Sequence, residues 1–180
     1  MKIGIYGGSF NPVHFGHVGL AQWVIGNTDL DELWLMVSPN NPLKPADGLA
    51  PEQERLSAVR EAVKGISGLK ASDFEFALPR PSYTADTLRA LQAAYPQHEF
   101  TLVIGEDNIA IFTRWREYDY ILANYRIFVY PRRGTMAFDA SAVSNAKSVV
   151  FLSSAPYFDV SSTEIRAKGG SQTLSPGSAE

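Results

Sequence analysis

Cysteine is absent from all 180 residues, which excludes a disulfide framework, thiolate zinc sites and a thiol nucleophile. Charge is scarce and nearly balanced, with 16 Lys and Arg against 19 Asp and Glu for a net charge of −3. That mild acidity offers no broad electrostatic footprint for duplex nucleic acid, so any nucleotide must be held locally. No stretch reaches the roughly 18 consecutive apolar residues of a membrane helix, and no lipidation box stands at either end. The opening Met1–Gly8 is broken by glycines and too short for an export signal, so a cytoplasmic protein with no membrane partner is expected. Internal repeats and long interior linkers are also missing. What is present is 45% hydrophobic and 12% aromatic content, enough for one buried core. A single domain over 1–168 is expected, and the Gly- and Ser-rich stretch 169–180, with one leucine, is expected to be disordered. A homo-oligomer is left open.

Short apolar runs alternate with helix-like segments. Strands are predicted at Lys2–Tyr6, Leu33–Val37, Asp73–Phe76, Glu99–Ile104, Arg126–Val129 and Ser148–Leu152. Helices are predicted near Gly16–Ile25, Pro51–Val63, Thr84–Ala94, Ala110–Ile121 and Ser162–Lys168. In Pro51–Val63, the proline suits a first turn, Glu52 and Glu54 favour its positive end, and Leu56, Val59 and Val63 recur at helical spacing. This alternation predicts an α/β fold: a Rossmann-like, doubly wound parallel sheet with helices on both faces and ligands at the carboxyl ends of its strands.

The first strand runs into Gly7-Gly8-Ser9-Phe10-Asn11-Pro12-Val13-His14-Phe15-Gly16-His17, where a glycine turn meets a helix N-terminus. The glycines let backbone approach a bulky anion, the first helical amides point outward, and two imidazoles three residues apart can donate to the same oxygens. The combination suits a polyphosphate, although it is neither the G-x-G-x-x-G fingerprint nor a Walker loop. A glycine turn before a helix is common in α/β domains, and a lone His is usually a bystander; two in H-x-G-H are harder to dismiss. Zinc is a weaker reading, because the third histidine, His98, falls in a predicted turn and no cysteine completes a site. Near the other end, Ser161 followed by Glu164 is a capping signature, and Arg166 one turn inside gives a second place to grip phosphate.

Together these segments carry a resemblance. Gly8 to His17 resembles the (T/S)-F-N-P-x-H-x-G-H box of the nucleotidyltransferase superfamily, and Ser161-Ser162-Thr163-Glu164-Ile165-Arg166 resembles its S-S-T-x-I-R box. Pro81-Ser82-Tyr83-Thr84-Ala85-Asp86-Thr87-Leu88, Ile104-Gly105-Glu106-Asp107 with Trp115, and Asn41-Pro42-Leu43-Lys44 narrow it to the bacterial nicotinate mononucleotide adenylyltransferase family. That resemblance implies attack of the 5′-phosphate of nicotinate mononucleotide on the α-phosphorus of ATP. It implies ATP contacts from Gly7, Gly8, Ser9, Phe10, His14, His17, Gly105, Asp107, Ser162, Thr163 and Arg166, with His14, His17 and Arg166 catalytic. It implies mononucleotide contacts from Asn11, Lys44, Tyr83, Thr84 and Trp115, and phosphate support from Arg132. Magnesium is expected on the triphosphate, keeping most of its waters, without a protein cage. Asp107 also reads as a ribose ligand or a helix N-cap, Trp115 as a stacking face or core, and Arg80 and Arg132-Arg133 as surface or anion-steering groups. Two departures stand out: Glu106 occupies a position that is small in most relatives, and the chain stops soon after Arg166. A sister enzyme acting on phosphopantetheine would share both phosphate boxes without needing Tyr83, Thr84 or Trp115. A catalytically silent nucleotide-binding module is the other alternative.

Overall fold

The computed structural model describes residues 1–40, 48–132 and 148–158, together with Ile165 and Ala167. Six strands, β1 (Lys2–Gly8), β2 (Glu32–Val37), β3 (Leu69–Ser72), β4 (Glu99–Gly105), β5 (Arg126–Tyr130) and β6 (Val149–Phe151), form one sheet in the order β3-β2-β1-β4-β5-β6. Every pairing is parallel. The helices are α1 (Phe15–Asn27), α2 (Glu52–Val63), α3 (Thr84–Ala94), α4 (Glu106–Ile109) and α5 (Tyr118–Asn124). Strand order reverses between β1 and β4, and that switch point opens a crevice at their carboxyl ends.

Alternation along the strands builds two cores. Tyr6, Leu33, Leu35 and Val37 pack with Leu20 and Val24 of α1 and Leu56 and Val59 of α2 on one face. Ile3, Ile5 and Met36 pack with Leu88 and Leu91 of α3 and Ile121 of α5 on the other. Central strands buried on both faces read as nearly continuous apolar runs, which is why β1, β2, β4 and β5 are found where the sequence predicts them.

Two predicted elements differ. The third strand is Leu69–Ser72, and Phe74–Ala77 is a tight 3-10 turn, whereas a strand is predicted at Asp73–Phe76. The alternating Phe74 and Phe76 imitate a strand, but Leu33–Met36 of β2 takes its partners from Leu69–Ser72. Where one helix is predicted over Ala110–Ile121, α4 ends before it at Ile109, and the segment holds a 3-10 turn at Phe112–Arg114 and the start of α5 at Tyr118. The break falls at Glu117, which has a left-handed φ of 54° and a carboxylate paired bidentately with Arg89 of α3 at 2.6 and 2.9 Å. Of the helix predicted at Ser162–Lys168, Ile165 and Ala167 are helical and the rest lies outside the described residues, as does 169–180. No described helix is long and apolar enough to cross a membrane.

Candidate active site

β1 delivers Gly7 and Gly8 to the switch point, and the chain then turns through Phe10, whose φ of 47° is left-handed. The Phe10 ring is 3% exposed and lies edge-on to Tyr6 and His17, with centroids 5.6 and 4.9 Å away. Its side chain therefore supports the turn from below. Asn11 is also occupied: its Nδ2 donates to the Gly48 carbonyl at 2.6 Å, and its Oδ1 accepts from the Ala50 amide at 3.1 Å. The structure thus gives the Asn11 amide the task of fixing the 48–50 turn.

His14 and His17 form a reciprocal cap on α1. The His14 Nδ1 accepts from the Gly16 amide and the His17 Nδ1 accepts from the His14 amide, both at 3.1 Å. The rings are stacked with centroids 3.7 Å apart. A nitrogen that accepts from an N–H carries no proton, so each neutral ring holds its proton on Nε2. Burial keeps them neutral. Desolvation, with help from Arg132, lowers the pKa of His14 to about 4. Desolvation, then His14, then Arg132, push that of His17 well below its ordinary value. The turn therefore presents two Nε2–H donors of fixed tautomer without positive charge.

This neutrality has a measurable consequence. With a folded pKa near 4 against 6.5 in the unfolded chain, His14 binds fewer protons in the native state, so stability rises with pH across that window and is lost on acidification. The expected contribution is on the order of 3 kcal/mol. His14→Asn keeps a capping acceptor while removing the titration. Thermal unfolding from pH 7 down to 4 should show a shallower decline in the variant; parallel curves would contradict the assignment.

At the end of β4, Gly105 lets two side chains come close: a Cβ there would meet Asp107 Oδ1 at 2.5 Å and Arg132 Cγ at 2.8 Å, and both would have to shift. Gly105 is the N-cap of α4, so Asp107, in the first turn, is not. The Asp107 carboxylate lies 3.8 Å from the Arg132 guanidinium, and both are about half exposed. Glu106 Oε1 accepts from the Arg132 amide at 3.1 Å. The acid at this unusual position thus holds the backbone that carries Arg132.

Beside the glycine turn lies a cleft of about 330 Å³ whose lining includes Gly7, Gly8, Asn40, Thr84, Asn108 and Trp115. Trp115 is partly buried, its ring centroid 5.0 Å from that of Phe112, and one side faces this cleft. Thr84 opens α3, and the Tyr83 side chain at its N-cap makes no capping hydrogen bond. Tyr83 is 38% exposed, with the Arg116 guanidinium 4.6 Å above its ring. Arg80 also lines the cleft and forms a bidentate pair with Glu52 at 2.8 and 2.9 Å.

One organising residue escapes the sequence reading. Arg55 on α2 is 2% exposed and donates to Ala50 O, Ser9 O, Ser38 O and Asn40 Oδ1 at 2.7–2.8 Å. It ties the glycine turn to the loop after β2. The available signal was a cation four residues before Val59, on the helix's apolar stripe. Lys44, Arg133, Ser162, Thr163 and Arg166 lie outside the described residues. Among the described residues, no group of three or more His, Asp or Glu could hold a metal ion.

Phe158 rests on the first turns of α1, where a Cβ on Gly19 would fall 2.5 Å from its ring and one on Gly16 would fall 3.1 Å from its Cβ. The chain is thus beside the histidine turn three residues before Ser161.

The cytidylyltransferase-like family model matches residues 5–168. The probable nicotinate-nucleotide adenylyltransferase of Flavobacterium psychrophilum is 44% identical over 166 residues, covering 92% of this chain and 85% of its own. That of Bacteroides fragilis is 45% identical over 165 residues, covering 92% and 80%. The solved nicotinic acid mononucleotide adenylyltransferase of Plasmodium falciparum, in complex with NaAD, superposes with a TM-score of 0.75 at 20% identity, covering 92% of this chain and 82% of that one. It shares the fold.

Proposed function

The chain belongs to the nicotinate-nucleotide adenylyltransferases of the cytidylyltransferase-like family, and from that premise we propose that it transfers the adenylyl group of ATP to nicotinate mononucleotide. The products are deamido-NAD and pyrophosphate. The observation that carries this reading is the shared wall of Gly7 and Gly8. The two glycines line a cleft with an aromatic face and the start of a helix, and the turn that follows them carries a pair of fixed Nε2–H donors suited to phosphate.

An oxygen of the mononucleotide 5′-phosphate attacks the α-phosphorus, the bond from that phosphorus to the bridging oxygen breaks, and the oxygen leaves with pyrophosphate. The nucleophile is already anionic at neutral pH, so no general base is required. The protein's tasks are alignment and stabilisation of charge on the leaving group. His14 and His17 donate from Nε2 to the ATP phosphates. Arg132, set by Glu106 and close to Asp107, adds positive charge. Backbone at Gly7, Gly8, Ser9 and Phe10 lets the triphosphate approach, and Asp107 is free on one side to accept from ribose hydroxyls. Ser162, Thr163 and Arg166 complete the phosphate cradle on the strength of the motif resemblance, supported by the course of the chain at Phe158. Among the described residues the donor set offers N–H groups rather than a carboxylate cage, so a magnesium ion would be held by the triphosphate itself and would supply charge neutralisation there.

The pyridine ring stacks on Trp115, and its carboxylate meets the amides that begin α3 at Thr84, where the helix dipole favours an anion. Lys44 adds charge nearby on the resemblance alone. The Asn11 amide contributes by holding the 48–50 turn. The reading carries with it a single catalytic unit over 1–168 and a cytoplasmic setting.

Pyrophosphate release with ATP and magnesium, measured in parallel with nicotinate mononucleotide, nicotinamide mononucleotide and phosphopantetheine, tests it. Release with the nicotinate compound is expected, whereas release with phosphopantetheine alone, or with none, would replace it by the sister enzyme or the silent module. Trp115→Ala should raise the KM for the mononucleotide about tenfold while leaving that for ATP within about twofold, since stacking is largely uniform binding. An unchanged mononucleotide KM would return Trp115 to the core.

A further inference from the structure

Glu75, in the 3-10 turn Phe74–Ala77, is 9% exposed and lines the same cleft. Its Oε2 lies 2.6 Å from the Thr87 hydroxyl, which is also 3.2 Å from the Tyr83 carbonyl. No cation pairs with Glu75 among the described residues, and Arg80, the cation lining the cleft, is paired with Glu52. The hydroxyl has one proton for two neighbouring oxygens. If it donates to the Tyr83 carbonyl, the short contact to Glu75 needs a proton from the carboxyl. A buried carboxylate with one hydroxyl partner and no cation among the described residues is also costly, and such a group takes up a proton instead. Burial raises the Glu75 pKa in the same direction.

We propose that Glu75 is a neutral carboxylic acid that donates to Thr87, which donates to the Tyr83 carbonyl, and that this chain aims the first turn of α3 at the anionic end of the mononucleotide. Glu75 is then a positioning residue for selectivity, resting on the substrate reading above. It touches no reacting atom. Its neutrality also keeps a negative charge away from the wall that receives the pyridine carboxylate, which favours nicotinate over nicotinamide mononucleotide.

Three variants separate this role from a structural one. In Glu75→Gln the amide still donates to Thr87, so both KM values should stay within about threefold of wild type. Glu75→Ala should raise the KM for nicotinate mononucleotide about tenfold, with kcat and the ATP KM within about twofold, and should lower the nicotinate-to-nicotinamide preference. Thr87→Val, which removes the hydroxyl at equal volume, should reproduce that shift and stands in for Glu75→Ala if the alanine variant does not fold. Independently of turnover, the infrared difference spectrum of wild type minus Glu75→Gln at pH 7 should show the carbonyl band of a protonated acid. An ionised carboxylate band, a Gln variant as impaired as Ala, or equal losses for ATP and both mononucleotides would each overturn the proposal. A wild type inactive with nicotinate mononucleotide but showing the protonated-acid band would sink the substrate reading alone and leave the acid assigned.

Discussion

Replacing His17 by alanine should lower kcat by about 10²-fold or more, the loss seen when one preorganised donor to developing charge is removed. The expectation follows from the fixed tautomer: the His14 amide occupies Nδ1, and the proton is left on Nε2. The same substitution removes half of the reciprocal cap, and that part should cost about 1 kcal/mol of stability. It also opens space beside the Phe10 ring, 4.9 Å away, and near the Tyr6 ring, 6.2 Å away. Activity and thermal unfolding of the variant must therefore be read together. A large fall in kcat with a modest fall in Tm is the expected pattern. Wild-type turnover would remove His17 from the reaction, and complete unfolding would mean that its cap is its main task.

Arg55→Ala should produce the largest stability loss, about 3 kcal/mol or more, because several carbonyl oxygens and one amide oxygen lose a charged donor together. The contributions are not additive, since the acceptors share one guanidinium. Activity should fall with stability, because Ser9, Ser38 and Asn40 all lie at the mouth of the site and are joined through this side chain. Arg55→Lys should rescue little, as a single ammonium cannot reproduce a planar fork. Urea unfolding checks the point. A midpoint unchanged from wild type in Arg55→Ala would show that the loops are held by other contacts.

The different legibility of these two residues has a physical basis. His17 stands in a local pattern, with a strand, glycines and a helix start within eleven residues, and local patterns are what a sequence displays. Trp115 and Thr84 were likewise legible as cleft candidates, one on its aromatic face and the other at a helix start. Arg55 acts on Ser9, 46 residues earlier in the chain, and Glu75 acts on Thr87 across a turn that the sequence presents as a strand. Asn11 enters as a mononucleotide contact through the resemblance of its motif, and its amide also holds the 48–50 turn, a task no local pattern displays. Glu106 stood out as a departure from the resemblance, and its carboxylate accepts from the Arg132 amide. The central strands were legible because both their faces are buried. The edge strand β3 and the divided helix before β5 were not, because register with β2 and the Arg89–Glu117 pair decide them.

The central claim is direct attack by the mononucleotide phosphate, arranged by neutral imidazoles together with arginine charge and without a covalent protein intermediate. The measurement that tests it is mass analysis of the products formed from unlabelled ATP, magnesium and nicotinate mononucleotide carrying ¹⁸O in its phosphate. Deamido-NAD retaining all of the label, unlabelled pyrophosphate and unmodified protein are expected. Adenylylated protein, label in the pyrophosphate, or no dinucleotide at all would contradict the account.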